Sequence, residues 1–372
     1  MEKVHVGVIG TGFMGTVHAQ SLRRLRDVEV VAIADYCQEA ADKKARELNI
    51  SGAYGDYRQL VADSSIDVVH VCTPNSLHYP VIKSALEAGK HVFAEKPLAV
   101  ELAEAEELLR LAKAKGLCHG INFVYRYYPL VQHARDVIAR GELGELYLVH
   151  GRYLQDWLAN ITDFNWRVLS QEGGPSRAMA DIGSHLCDLL QFLCGEKMEY
   201  VFGNISTILP LRRRPISHNE NQYEEVEVDT EDYAACLFKL ESGTNGAFHV
   251  SQVSSGHKND LSFEISGSKG SLAWSQERPG QLWMGRRDQP NQELIKDPQL
   301  MSPVSATYAQ MPGGHEEGWL DSFTGLLNDF YNDIINGVGG LASYPTFADG
   351  LWAMQVVDAL LVSHQRQEWV EV

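Results

Sequence analysis

Asp181, His185 and Asp188 stand at i, i+4 and i+7 in Asp181-Ile-Gly-Ser-His-Leu-Cys-Asp188, so an α-helix there would put all three on one face. An imidazole between two carboxylates has the tunable basicity that proton transfer near neutral pH requires. The same spacing also fits an amphipathic helix with a solvated polar side, because Ile182, Leu186, Leu189, Leu190 and Leu193 fall on another face about 110° away. A second group, Glu95-Lys96-Pro97, closes the apolar run Lys90-His-Val-Phe-Ala94. A lysine at a strand end is either a snorkelling surface residue or a site cation able to stabilise negative charge developing on oxygen. Pro97 locks its own φ and restricts Lys96, which would aim the ammonium group.

The elements that would position these groups begin at the first residues. Val4-His-Val-Gly-Val-Ile9 reads as a buried strand, Phe13 to Arg26 as a helix and Val28-Glu-Val-Val-Ala-Ile-Ala34 as a parallel strand, which closes one βαβ unit in about 33 residues. Between them lies Gly10-Thr-Gly12-Phe-Met-Gly15. These glycines let the main chain turn tightly and approach a pyrophosphate, whose charge the free N–H groups and the following helix stabilise. Asp35 ends the second strand, where such units place a carboxylate that accepts hydrogen bonds from the adenosine ribose. It would repel the 2′-phosphate of NADP, so NAD is the expected cofactor. Lys43, Lys44 and Arg46 come too late to reach and read as a solvated helix face.

Strand and helix then alternate. Asp67 to Cys72, Lys90 to Ala94 and Leu117 to Ile121 are expected strands, with helices over His78 to Ala88 and Glu101 to Lys115. That spacing predicts a doubly wound parallel sheet, with ligands meeting beyond the strand ends at Thr73-Pro74-Asn75, Glu95-Lys96-Pro97 and Asn122. From about residue 124 a helix (Pro129 to Arg140) leads into strands in runs: Glu145 to Gln155, Tyr200 to Ile208, Tyr233 to Leu240, Gly246 to Val253, Leu261 to Ser266 and Ser271 to Trp274. Helices recur at Asp181 to Leu193, Leu320 to Asn336 and Phe347 to His364. The fold class is therefore α/β, a Rossmann-type parallel sheet followed by an α/β domain with a large, mostly antiparallel open sheet. The expected domains are 1–123, 124–346 and a C-terminal helix, 347–372, packing back on the first. A sheet with helices on one face leaves the other free, so homo-oligomerisation is expected. Pro210 to Asp229 and Gln276 to Met311 read as irregular surface excursions.

A chain of 372 residues with 44% apolar and 22% charged content fits two soluble globular domains. Its net charge of −17 argues against nucleic acid and modestly against an anionic substrate. Arg212-Arg-Arg214 reads as a solvated loop. The six cysteines are scattered, with no spacing that suggests a metal site, and are expected to be reduced core residues. No signal segment and no apolar run of ~18 residues is apparent, so the protein is expected in the cytoplasm, away from membranes.

Gly10-Thr-Gly-Phe-Met-Gly15, Thr73-Pro-Asn75 with His78, Glu95-Lys96-Pro97, Asn165-Trp166-Arg167, and Asp181 to His185 with Asp188 resemble, in order, the motif series of the Gfo/Idh/MocA oxidoreductase family. The resemblance implies a catalytic group of Lys96, Asp181 and His185. It further implies an NAD site drawing on Gly10, Gly12, Phe13, Met14, Gly15, Asp35, Tyr36, Thr73, Pro74, Asn75, His78, Glu95, Lys96, Asn122, Trp166 and Arg167, and a dimer or tetramer through the open sheets. The chemistry agrees: oxidising a secondary alcohol needs a base, here His185, and a cation beside the developing alkoxide, here Lys96. Asp181 would orient substrate or lysine. The cofactor carries the hydride, so no metal is required.

Tyr125, Arg126, Gln155, Asp156, Trp157 and His315 join Lys96, Asp181 and His185 as candidate substrate contacts, a mixture of aromatic, amide and charged groups that suits a neutral cyclic polyol or pyranose. Tyr127 and Trp319 fit core positions equally well, and Glu316 and Glu317 a solvated loop. Gln155-Asp-Trp157 and Gly314-His-Glu-Glu-Gly-Trp319 most resemble the pyranoside- and levoglucosan-oxidising branches, with inositol dehydrogenases close by. Two alternatives stand beside net oxidation: an NAD-retaining glycoside hydrolase that uses transient oxidation, and a silent NAD-binding regulator.

Overall fold

The computed structural model describes residues 3–216, 222–337 and 342–372. The chain divides into two compact units, Met1–Val124 with Phe323–Trp352, and Tyr125–Ser322 with Ala353–Val372.

The first unit is built on six parallel strands: β1 (Val4–Ile9), β2 (Val28–Ala34), β3 (Gly52–Tyr54), β4 (Val68–Val71), β5 (His91–Ala94) and β6 (His119–Ile121). Their order is β3-β2-β1-β4-β5-β6, the doubly wound arrangement in which the order reverses at β1. Continuous Val, Ile and Ala runs make strands buried on both faces, as β4 is throughout. The helices Phe13–Leu22, His78–Glu87 and Leu102–Ala114 follow β1, β4 and β5. The first of these ends four residues short of the expected Arg26. Between β2 and β4 the chain adds the helix Gln38–Leu48, the three-residue β3 and the helix Tyr57–Ala62, and β3 is too short to leave a periodic signal.

Residues 323–352, most of which the sequence reading grouped with the second domain, complete this unit. Phe93 of β5 meets Phe323 and Phe330 edge-on, with ring centroids 6.2 and 5.2 Å away. Ile121 N donates to Pro345 O at 3.0 Å, and Gly350 is close enough to Ile121 and Leu98 that a Cβ there would clash. The short edge strand β6 thus takes its cover from this late segment.

The second unit holds β7 (Leu146–Leu154), β8 (Met198–Ser206), β9 (Leu211–Pro215), β10 (Tyr223–Glu227), β11 (Tyr233–Leu240), β12 (Asn245–Ser251), β13 (Asp260–Gly267), β14 (Gly270–Ser275), β15 (Gln281–Gly285), β16 (Gln292–Ile295) and β17 (Val370–Glu371). Nine of them form one sheet in the order β16-β15-β14-β13-β7-β12-β11-β8-β17, antiparallel except for the β7–β12 pair. Glycines let helices lie close on one face: a Cβ on Gly151 would sit 2.9 Å from Leu186, and one on Gly203 would sit 2.7 Å from Leu360. The opposite face carries exposed Leu148, His150, Arg152 and Leu237, and a depression of about 790 Å³ is lined there by His150, Arg152, Phe202, Leu237, His249 and Trp283.

Three expectations are corrected here. The excursion over 210–229 contains the hairpin β9–β10, although its tip, 217–221, lies outside the described residues. Arg212 is fully buried rather than solvated; its guanidinium reaches Asp232 at 2.9 Å and the carbonyls of Asn160 and Asp163 at 3.1 and 2.8 Å. Arg213 and Arg214 are exposed, so only the first arginine of the run is turned inward. The stretch 276–311 supplies β15 and β16, which extend the sheet.

Candidate active site

In the first unit the glycine loop follows β1 directly. Gly10 has φ +87°, and a Cβ there would lie 2.6 Å from Cys72 O; one on Gly15 would lie 1.9 Å from Gly10 O. Both positions exclude a side chain, whereas Gly12 faces open space, which is the cradle that a pyrophosphate needs. Asp35 accepts from Thr11 N at 3.2 Å and Tyr36 N at 2.7 Å, and the Thr11 hydroxyl donates to it as well. The carboxylate is thereby fixed at the end of β2. Phe13 and Tyr36 are 78% and 87% exposed, large aromatic faces left bare beside this loop.

At the carboxyl ends of β4 and β5, His78 is a buried tie: its Nδ1 lies 2.6 Å from Pro97 O and its Nε2 3.0 Å from Thr73 O. Burial lowers its pKa, against the opposing pull of those two carbonyls. Pro74 is exposed and Asn75 buried in the short turn between them. Glu95 is also buried, 3.0 Å from His18 Nε2, and it accepts from Asn122 Nδ2 at 2.6 Å. Burial alone would raise its pKa; His18, the Asn122 amide and the Lys96 charge outweigh this and hold it at about 2. His18 in turn meets His70 at 2.8 Å, and His70 meets the Tyr331 hydroxyl at 2.8 Å. Lys96, half-buried, follows Glu95, and the Lys96–Pro97 bond is cis. Thr73 Oγ1 and Asn122 Oδ1 are buried without a hydrogen-bond partner among the described residues, at the strand ends where a bound group would lie.

In the second unit Asp181 belongs to a π-helical turn, Met179–Gly183, that runs into the α-helix Ser184–Cys194. A π turn holds an extra residue, so Asp181 is not at regular α spacing from His185 and Asp188. The side that carries them is not wet. His185 is buried with its ring edge-on to Tyr125, centroids 5.0 Å apart, and Asp188 is buried in a two-point pair with Arg126, its Oδ2 2.8 Å from Nε. Asp181 accepts from Gln252 Nε2 at 2.8 Å and lies 3.7 Å from Arg167 Nε. Arg167 stacks over Trp166 at 4.4 Å.

The π turn is held from below. Glu231 accepts from Ser176 Oγ, Arg177 N and Met179 N at 2.7, 3.0 and 2.8 Å, while Asp232 takes both Arg177 and Arg212 in a fully buried cluster.

Gln155 Nε2 donates to Asn259 Oδ1 and Trp157 Nε1 to Gln155 Oε1, each at 2.8 Å. Asp156 is bound by Lys258 Nζ at 2.7 Å and Gly256 N at 3.1 Å, which lower its pKa. His315 is exposed, with Nδ1 3.4 Å from Gly313 O. Tyr127 is buried core against Tyr308. The solvated reading of Glu317 is corrected: it is buried in a pair with Lys296 at 2.5 Å, while Glu316 is exposed. His257, Asp260 and Glu277 come near enough to face a common ion, but Asp260 is already paired with Arg152 at 2.9 Å. Sequence reasoning missed His18, Gln252, Asn259, Tyr153 and the Glu231–Asp232 pair; only His18, a polar residue in the helix behind the glycine loop, left a local trace.

A family model described as the oxidoreductase family with an NAD-binding Rossmann fold matches residues 4–123, and the GFO/IDH/MocA C-terminal domain matches residues 131–273. The chain belongs to the Gfo/Idh/MocA oxidoreductase family. Its first unit is that family's NAD-binding domain, and the enzyme class is oxidoreductase. The crystal structure of an oxidoreductase domain protein from Kribbella flavida is similar over all of both chains, with TM-score 0.92 and 31% identity. Levoglucosan dehydrogenase of Pseudarthrobacter phenanthrenivorans is 29% identical over 100% of this chain and 99% of its own. A levoglucosan dehydrogenase structure in complex with NADH and levoglucosan has TM-score 0.91 at 28% identity, with 100% of both chains covered. Among the described residues no helix is long and apolar enough to cross a membrane.

Proposed function

We propose that this family member oxidises a secondary hydroxyl of a neutral cyclic polyol or pyranose sugar to the ketone, with NAD as acceptor. The observation that carries the reading is the buried His185 on the Tyr125 ring, one turn past an Asp181 held by Gln252 and Arg167. Full-length similarity to levoglucosan dehydrogenase supports the substrate class. NAD, when bound, accepts the hydride at its nicotinamide ring. His185 takes the hydroxyl proton on an imidazole nitrogen. Lys96 donates to the reacting oxygen and stabilises the charge that develops there. Asp181 orients the substrate, with Gln155 and Trp157 as further contacts.

Gly10, Gly12 and Gly15 cradle the pyrophosphate and Asp35 takes the ribose hydroxyls, with Phe13, Met14 and Tyr36 flanking them. Arg126 and Asp156 have no place in this reading, since each is taken up by an internal ion pair. The open face of the nine-stranded sheet is the surface for a homo-oligomer. A panel of sugars and polyols assayed for both NADH appearance and glycosidic cleavage tests the proposal. NADH with a free pyranose or inositol supports it; cleavage products without net NADH would establish the hydrolase alternative instead.

A further inference from the structure

Tyr125, Tyr153 and Asn259 form a closed hydrogen-bonded ring in the second unit. Asn259 Nδ2 reaches the Tyr125 hydroxyl at 3.1 Å, the two tyrosine hydroxyls are bonded, and the Tyr153 hydroxyl reaches Asn259 Oδ1 at 2.7 Å. Gln155 and Trp157 extend the ring outward through the same Oδ1. The direction of every bond follows from Trp157, because an indole N–H can only donate. Gln155 must therefore turn Oε1 to Trp157 and Nε2 to Asn259. Asn259 must then present Oδ1 there and Nδ2 to Tyr125, so Tyr125 donates to Tyr153 and Tyr153 donates back to Asn259. Burial raises the pKa of both phenols, so they keep the protons this circuit needs. Asn259 is hydrogen-bonded both to Tyr125, whose ring lies edge-on to His185, and to Gln155.

We infer that Asn259 is a positioning residue that holds the Gln155 amide, in the polarity Trp157 gives it, for contact with a sugar hydroxyl while it anchors the hydroxyl of the Tyr125 ring that lies against His185. This rests on the proposed function, in which Gln155 contacts substrate. An amide is required because the position must donate on one side and accept twice on the other. A carboxylate of the same shape lacks the donor.

The experiment measures KM for the best sugar, KM for NAD and kcat in the parent, Asn259→Asp, Gln155→Ala and the double variant. Asn259→Asp is expected to raise the sugar KM about tenfold, the size of one lost buried hydrogen bond, and to leave the NAD KM within about twofold. In the Gln155→Ala background it should add little, since its effect is transmitted through that amide. If Gln155→Ala raises the sugar KM while Asn259→Asp does not, or if the two effects simply add, the inference fails and the proposed function stands. If Gln155→Ala leaves the sugar KM at the parent value, the proposed substrate contact is itself wrong. Should Asn259→Asp fail to fold, Tyr153→Phe decides the matter. It opens the hydrogen-bonded ring that holds Asn259 and should raise the sugar KM several-fold with the NAD KM unchanged, and an unchanged sugar KM overturns the inference.

Discussion

His18 Nε2 lies 3.0 Å from Glu95 Oε1, and both side chains are buried beneath the loop that carries Lys96. Glu95 is held at about 2, below its ordinary 4.5, so its bonds stabilise the folded state fully above pH 4.5 and lose that contribution as pH falls toward 2. Glu95→Gln removes the charge but keeps the shape. It should cost roughly 1–3 kcal/mol at neutral pH and flatten the acid dependence of stability in that window. Urea unfolding of parent and variant across pH 2 to about 7 measures both effects, and identical acid profiles would show that the pair contributes nothing.

Asp35 should set cofactor choice. The parent enzyme is expected to bind NAD more tightly than NADP, and Asp35→Ser to narrow the gap by removing a carboxylate that a 2′-phosphate would have to approach. Titration with both cofactors reads this directly; tighter NADP binding by the parent would overturn it.

For the chemical step, His185→Ala should lower kcat by about 10²- to 10⁴-fold with NAD affinity nearly unchanged. Lys96→Ala should also lose turnover, and Lys96→Arg should fail to restore it because a planar fork replaces a compact ammonium group. A Lys96→Ala enzyme whose only defect is weaker NAD binding would reassign that lysine to the cofactor.

Asp232 faces two buried arginines, Arg177 and Arg212. Asp232→Ala leaves both without that partner, so a loss of about 3–5 kcal/mol in unfolding free energy is expected. A loss below about 1 kcal/mol would mean that water already shares the cluster.

The first unit was the most legible part of the chain because its signals are local. The glycine spacing, the Val-rich strands and Asp35 all lie within one βαβ unit, and each stands where its neighbours predict. The second unit was legible in its strand runs but not in its site. Gln252 meets Asp181 across 71 positions, and Asn259 meets Tyr125 across 134, so no spacing rule links them. Arg212 looked like part of a solvated basic run because its partners, Asp232 and two carbonyls, come from other elements. Glu317 was misread for the same reason: Lys296 closes a loop of 21 residues on it.

The π turn over Met179–Gly183 makes chain length itself a setting for the site. Removing one residue there would let the backbone relax to α geometry while the helix on either side keeps its place, because a π turn winds one extra residue into about the rotation of an α turn; only the residues inside the turn, Asp181 among them, would take new places on the helix face. Related enzymes can therefore diverge at this point by a single codon gained or lost, and the acid then changes partners without any change in the base. Alignments of this segment that allow no gap would hide such an event, and chimaeras joined here need their join set by the turn rather than by the count of residues.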